Sequence, residues 1–297
     1  MAEFAFRGRY HYLCRRVNRP CDSRNTLAVD AAPERRCRRL QWTDFFETLA
    51  DLEPDEEFVT GRPGGLPPGL ADGIADDIAV KLGLKSVDAL LDYGSGTGAI
   101  TRRLAKRVAT TTAADASKSV VRRGGGADSG NIRWVQLSSG AADPPWAGGS
   151  FTKVLSYYNA QTFATHSDLR VHIDSLCAAV APGGTVLLGD VPDREHTGQW
   201  ESGERGRDEN RTVWIGRLER RALDMERDAR DLAAFANRLK GLGIETPPGF
   251  GERHPGFIRD VVTRLFRENG GETTVSTQPL HFPNAHTCVD YVVRFGR

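Results

Sequence analysis

A chain of 297 residues, 39% hydrophobic and 27% charged, can bury one sizeable core with additions. Its formal net charge of +1 provides no overall field for a polyanion or a membrane surface. No run approaches the roughly 18 apolar residues of a membrane helix, no apolar segment marks a secretory signal, and Cys14, Cys21, Cys37, Cys177 and Cys288 form no C-x-x-C pair. A cytoplasmic protein without a metal site is therefore expected.

In chain order, residues 1–55 read as a basic extension ending in a short helix. The first forty residues hold ten Arg against four acidic residues, with Phe4, Phe6, Tyr10 and Tyr12 interleaved. Such a pattern serves RNA-binding arms, but an isolated basic arm is more often a surface extension, so nucleic acid is not expected as a partner. Trp42 to Leu52 is predicted helical, with Phe45, Phe46 and Leu49 on one side. A Gly/Pro-rich loop around Arg62 follows, then a helix from Gly69 to Leu84 with Leu70, Ile74, Ile78 and Leu82 in phase.

Residues 56–195 then alternate. Strands are predicted at Ala89–Tyr93, Thr110–Ala116, Ile132–Leu137, Val154–Tyr158 and Thr185–Val191. Helices are predicted at Ala99–Val108, Ser117–Arg123 and Asp168–Val180. This alternation implies an α/β fold with a doubly wound, mostly parallel sheet. Residues 196–254 break the pattern as a charged helical insert, Glu209 to Leu239, with Leu218, Ala222, Ala229, Leu232 and Ala236 recurring as its apolar stripe. A substrate lid or a homodimer contact is expected of it. Residues 255–297 supply a helix, Pro255–Glu268, and two strands, Thr273–Thr277 and Cys288–Phe295, close enough to pair antiparallel.

The chemistry concentrates in Leu91-Asp92-Tyr93-Gly94-Ser95-Gly96-Thr97-Gly98. Alternate glycines after a strand allow a tight turn and a close approach of backbone to a ligand, with helix N–H groups behind it. Gly94 to Ala99 satisfies the dinucleotide fingerprint G-x-G-x-x-G/A, so an NAD(P)-dependent oxidoreductase is one reading. An acid before the glycines suits a cationic ligand better than a pyrophosphate. Open α/β sheets bind ligands at the carboxyl ends of their strands. Tyr157, Tyr158, Asn159, Gln161 and His166 follow the fourth strand, and Asp190 ends the fifth. Tyr157 and Tyr158 serve equally as strand-end packing, and His166 equally as a solvated cap. His166, Asp190 and His254 are the candidate bases.

The acid–glycine motif, Asp115 closing the second strand, Pro182-Gly183-Gly184 before the fifth and the closing strand pair together resemble the class I (Rossmann-like) S-adenosylmethionine (SAM) dependent methyltransferases. Gly189-Asp190-Val191-Pro192 resembles the bacterial small-molecule branch. The resemblance implies SAM as cofactor: Asp92, Tyr93, Gly94, Gly96 and Gly98 around its methionine end, Asp115 on the ribose hydroxyls, and Ala116, Ser138 and Tyr157 completing the pocket. It further implies methyl transfer to oxygen or nitrogen of a small metabolite held by Tyr158, Asn159 and Gln161. Ser138 stands where many relatives carry an Asp for adenine, and it serves equally as a turn residue. A SAM-binding protein that transfers no methyl, or an RNA methyltransferase, are the alternatives.

Overall fold

Leu90 and Leu91 are both fully buried, so the first strand is covered on both faces, as a central parallel strand must be. A computed structural model describes residues 32–53, 59, 69–126, 130–137, 146, 149–202, 230, 232–247, 254–279 and 282–296, with 32–41 and 200–202 by backbone alone. Residues 1–31 of the basic arm, Arg62, Ser138 and most of the insert (203–229, 231 and 248–253) lie outside the described residues.

The described elements are α1 (Ala32–Leu52), α2 (Leu70–Leu82), β1 (Ala89–Tyr93), α3 (Thr101–Ala105), β2 (Thr110–Asp115), α4 (Lys118–Gly125), β3 (Ile132–Gln136) and β4 (Phe151–Tyr157). A 3-10 turn (Ala160–Thr162), α5 (His166–Ala179), β5 (Val180–Pro192) and α6 (Arg194–Ser202) follow. The chain continues with α7 (232–241), α8 (Arg259–Glu268), β6 (Gly271–Thr277) and β7 (Cys288–Phe295).

The seven strands stand in the order β3-β2-β1-β4-β5-β7-β6. Strands β1 to β5 pair in parallel, and β7 is antiparallel to both β5 and β6. Strand β6 therefore runs with β5, and one edge of the sheet collects the carboxyl ends of β1 to β6 and the start of β7. This is the expected doubly wound sheet with its antiparallel pair. It differs from a dinucleotide fold, in which parallel strands would continue beyond β5 with no antiparallel strand set between β5 and β6.

Successive residues of each central strand face opposite layers. Leu91, Val154, Val186 and Val293 pack with Ile173 and Leu176 of α5 and with Leu265 and Phe266 of α8. Leu90, Leu155, Leu187 and Val292 pack with Ile74, Ile78 and Leu82 of α2 and Leu104 of α3. A smaller third core lies outside these layers. Phe45, Leu49 and Ala50 of α1 meet Val120 of α4 and Phe235 and Leu239 of α7.

Several expectations change: the N-terminal helix begins at Ala32 instead of Trp42, the helix after the glycine turn spans only Thr101–Ala105, and the helix before β6 begins at Arg259 instead of Pro255. The Pro182-Gly183-Gly184 segment is an excursion within β5, because Phe151 and Lys153 of β4 oppose Val180 and Thr185, and Gly183 has φ +77°. Helix α5 begins at His166, capped by Thr165 and Asp168 in a reciprocal capping box. The apolar stripe of the insert is phased on Phe235 and Leu239; Ala236 is exposed.

Candidate functional site

The turn after β1 is built by backbone that only glycine tolerates cheaply. Gly94, Gly96 and Gly98 have φ of +80°, +56° and +91°. A Cβ on Gly94 would stand 2.4 Å from the Asn159 amide, and one on Gly98 would stand 2.5 Å from the Trp134 ring. The turn is tied to β2 because the Gly94 and Ser95 amides both donate to the Ala114 carbonyl, at 2.7 and 3.1 Å.

Two carboxylates flank this turn. Asp115, at the end of β2, accepts from Gly96 N on one oxygen and from Ser117 N on the other, each at 3.0 Å. Each oxygen keeps a further lone pair, the acceptor set that a ribose diol needs. Burial raises the pKa of Asp115, the amides of Ser117, Gly96 and Ala116 oppose that rise, and Glu47 adds to it. Asp92 is 4% exposed beneath the turn and accepts from Thr101 Oγ1 at 2.6 Å. Its pKa is pushed up from 3.8 to about 6, by burial first and by neighbouring Asp115 second, against the Thr101 hydrogen bond. A buried carboxylate in this condition is stabilised by a nearby cation. The diol-binding acid, the glycine turn and the buried acid below it fit a SAM molecule, with its ribose at Asp115 and its cationic methionine end above Asp92.

Asn159 takes another place than expected, and Tyr157 takes the strand-end packing that was its alternative reading. The Asn159 Nδ2 donates to the Tyr93 carbonyl at 2.8 Å and to Ser156 Oγ at 3.0 Å, so the side chain braces the glycine turn instead of presenting itself to an acceptor. Ser156 Oγ in turn lies 2.8 Å from Nε2 of the buried His172. The Tyr93 ring packs edge-on against Trp146 and His172, so at the turn its carbonyl is what it contributes. Tyr157 is buried against Gly189, and its hydroxyl accepts from Gln278 Nε2 at 3.0 Å, on the side of β5 away from the glycine turn. Burial and the surrounding Asp290 and Asp190 raise its pKa. Ala116 follows Asp115 and is half-buried, as an adenine neighbour would be.

The β4–β5–β7–β6 part of the edge carries a second polar group. Asp190 is fully buried and has φ +56°. There a bulge sets a three-residue step of β5, from Leu188 to Val191, against the two-residue step from Tyr291 to Val289 of β7. The Asp190 carboxylate accepts from Gln161 Nε2 at 2.5 Å, Asn284 Nδ2 at 2.8 Å and Gln278 Nε2 at 3.1 Å. Its amide donates to Asp290 Oδ1 at 2.8 Å, and Asp290 pairs with Lys81 at 2.7 Å. Beside it, Tyr158 also lies in the left-handed region, at φ +64°. Strained backbone at two adjacent strand ends is a mark of a functional site.

The two candidate histidines lie at neither acid. His166 Nε2 accepts from Ile258 N at 3.0 Å. His254 Nδ1 accepts from Gly256 N at 3.0 Å, which leaves its Nε2 as the donor to the Phe163 carbonyl at 2.8 Å. Both rings pack on Phe257. Each thus gives a basic lone pair to a backbone amide and pins residues 254–258 to the segment between β4 and α5. Burial first, and the Arg194 charge second, lower the His166 pKa.

Glu47 carries no motif and was missed in the sequence. It reaches from α1 to the start of α4, accepting from Ser117 Oγ at 2.5 Å, Ser119 Oγ at 2.9 Å and Ser119 N at 3.0 Å. Arg123 donates to the Ala50 carbonyl at 3.1 Å, and Arg238 of α7 pairs with buried Glu53. Helix α1 and the end of the insert therefore form a wall beside the Asp115 end of the site. Phe235 and Leu239 are buried within their own chain.

Residues 90–184 match the model of a methyltransferase domain. No curated protein matches the sequence significantly. Among solved structures, the DhpI complex with S-adenosylhomocysteine (SAH) superposes with a TM-score of 0.51 at 17% identity, covering 87% of this chain and 97% of that one. The N-methyltransferase NodS of Bradyrhizobium japonicum, also bound to SAH, gives 0.50 at 15% identity, covering 84% and 100%. A SAM-dependent methyltransferase of Leishmania major gives 0.50 at 15% identity, covering 85% and 82%. At these identities the superpositions speak to the fold. The domain match and the geometry around Asp92 and Asp115 together make the chain a SAM-dependent methyltransferase, with SAM as its cofactor.

Proposed function

We propose that this enzyme methylates oxygen or nitrogen of a small polar metabolite, as a soluble cytoplasmic transferase of the bacterial small-molecule branch. The observation that carries the reading is the division of the sheet edge. The glycine turn with Asp92 and Asp115 occupies the β1–β2 part. A separate polar group, with Tyr158, Gln161 and Asp190, occupies the end of β4 and β5. A hydrogen-bonding surface of this size suits a metabolite bearing hydroxyl or amine groups.

SAM supplies a methyl group on a sulfonium, already activated for displacement by a lone pair. The chain's own task is alignment and exclusion of water. Asn159 holds the β1 turn against the end of β4, so the two halves of the edge keep one spacing. Asp190 holds Gln161 through its carbonyl and carboxylate oxygens. We assign His166 and His254 to closing the adjacent wall, through residues 254–258, in preference to proton removal. The described part of the insert, docked on α1, favours a fixed wall over a mobile lid or a dimer contact.

A second reading, a SAM-binding protein that transfers no methyl, is favoured by the occupied lone pairs of both histidines. Methyl-labelled SAM incubated with a panel of hydroxylated and aminated metabolites separates the two. Label should pass to one member of the panel. Tight SAH binding with no transfer to any member refutes the proposal.

A further inference from the structure

The orientation of one side-chain amide limits which acceptors the β4–β5 end can hold. Gln161 opens from the 3-10 turn just after β4, and its Nε2 donates to the Asp190 carbonyl oxygen at 2.9 Å and to Asp190 Oδ2 at 2.5 Å. A carbonyl and a carboxylate accept only, so the amide nitrogen must face Asp190 and the oxygen must face away. Asp190 is itself immobilised from other sides by Asn284 and Gln278, and by its amide bond to Asp290. The amide of Gln161 therefore has one permitted orientation. Its Oε1 is buried and has no hydrogen-bond partner among the described residues. Gln278, 4% exposed after β6 on the same edge, repeats the arrangement: Nε2 is engaged with Tyr157, Asp190 and Asp290, and Oε1 is unpaired among the described residues. A buried acceptor left without a donor is costly, so a site that fixes one is built for a donor.

We propose that Gln161 Oε1 receives a hydrogen bond from the methyl acceptor. The acceptor is then an amine or alcohol presenting an N–H or O–H at this point, and carboxylates are rejected because two acceptor oxygens would face each other without a proton. This inference rests on the transferase reading. It adds the atom that reads the substrate and a class of compound that is excluded. Gln161 acts on selection of the acceptor, whereas the cofactor end depends on Asp92 and Asp115.

The test uses the full-length protein, methyl-labelled SAM and a panel of metabolites with matched amine, alcohol and carboxylate forms. Wild type and Gln161→Met are compared on the best acceptor, and SAH affinity is measured by calorimetry for both. Methionine keeps the length of the side chain but has no amide. The expected result is an amine or alcohol as best acceptor. Its kcat/KM should fall ~10-fold or more in the variant, the scale for removing a hydrogen-bond partner that a site was built around, with SAH affinity within about twofold. A carboxylate as best acceptor overturns the inference, as does unchanged kcat/KM in Gln161→Met. Parallel loss of SAH affinity and activity also overturns it, since Gln161 would then support the fold or the cofactor. Failure of wild type to label any compound while binding SAH tightly overturns the transferase reading itself, which is a different result.

Discussion

Replacing Asp92 by Asn should make the protein more stable and a poorer binder of its cofactor. Asp92 is 4% exposed, and its pKa is raised from 3.8 to about 6, chiefly by burial. A rise of that size corresponds to ~3 kcal/mol of ionisation cost in the folded state at neutral pH. Asn is nearly isosteric, and its Oδ1 can still accept from Thr101 Oγ1. Its Nδ2 needs a partner of its own, so the net gain falls to about 1–3 kcal/mol. For a chain of this size that is a rise in Tm of roughly 3–10 °C. The sign follows from linkage: a carboxyl with raised pKa binds its proton in the folded state before the unfolded one. Its penalty is complete above pH ~6 and relieved as pH falls toward 3.8. The difference in Tm between variant and wild type should therefore be largest near pH 7.5 and shrink by pH 5. At the same time SAM and SAH affinity should fall by ~5- to 150-fold, about 1–3 kcal/mol, as a negative charge facing a cationic ligand is lost. Thermal denaturation at several pH values, with calorimetric titration of SAH, checks both halves. A variant that melts below wild type at pH 7.5 refutes the reasoning.

Glu47→Ala removes three hydrogen bonds between α1 and α4 and should cost about 1–3 kcal/mol by chemical denaturation. Burial works to raise the Glu47 pKa, but bonds from Ser117 and Ser119 bring it below 4.5, so this stabilisation is present above that pH and is lost as pH falls below it. Gly94→Ala meets both the left-handed φ of +80° and the Asn159 amide, and SAH binding should be lost. Adding Asn159→Ala relieves the contact but not the φ, so calorimetry should show only partial recovery. His254→Ala should lower Tm by loosening residues 254–258, while the pH dependence of kcat keeps its shape; loss of an ionisation from that profile would restore His254 as a base.

What the sequence disclosed well was local. β1 and β7 have the expected ends, because a run such as Leu90-Leu91-Asp92 or Tyr291-Val292-Val293 bounded by turn residues has few alternative readings. The glycine turn and Asp115 were legible because positive φ and strand-end acids are tied to residue type. The acceptor side was less so. Asp190 and Gln161 could be named from their places after strands, yet Gln278, Asn284 and Asp290, which hold them, follow no motif. Their bonds to Asp190 span 88 to 100 residues, so only the fold brings them together. Glu47 is separated from Ser117 by 70 residues in the same way. The insert shows a different failure. Leu232, Phe235, Ala236 and Leu239 satisfy two helical phases, and only contact with Phe45 and Leu49 selects the one that buries Phe235.

Among the described residues, two that are not glycine have positive φ: Tyr158, just after β4, and Asp190, at the bulge near the end of the adjacent parallel strand β5. A glycine at either place would remove a cost of order 1 kcal/mol, and neither side chain is small. Hydrogen bonds hold both in place: Tyr158 N donates to the Gly189 carbonyl at 3.4 Å, and Asp190 N donates to Asp290 Oδ1 at 2.8 Å. The same bulge that strains Asp190 turns its carboxylate back under the edge, where Gln161, Gln278 and Asn284 all reach it. An unstrained β5 would continue its alternation and send the side chain at position 190 to one face of the sheet, away from the end of β4. The strain is thus the geometric condition for ordering Gln161. It lies in the acceptor half of the edge, while the cofactor half is built with glycines that adopt the same φ at little cost.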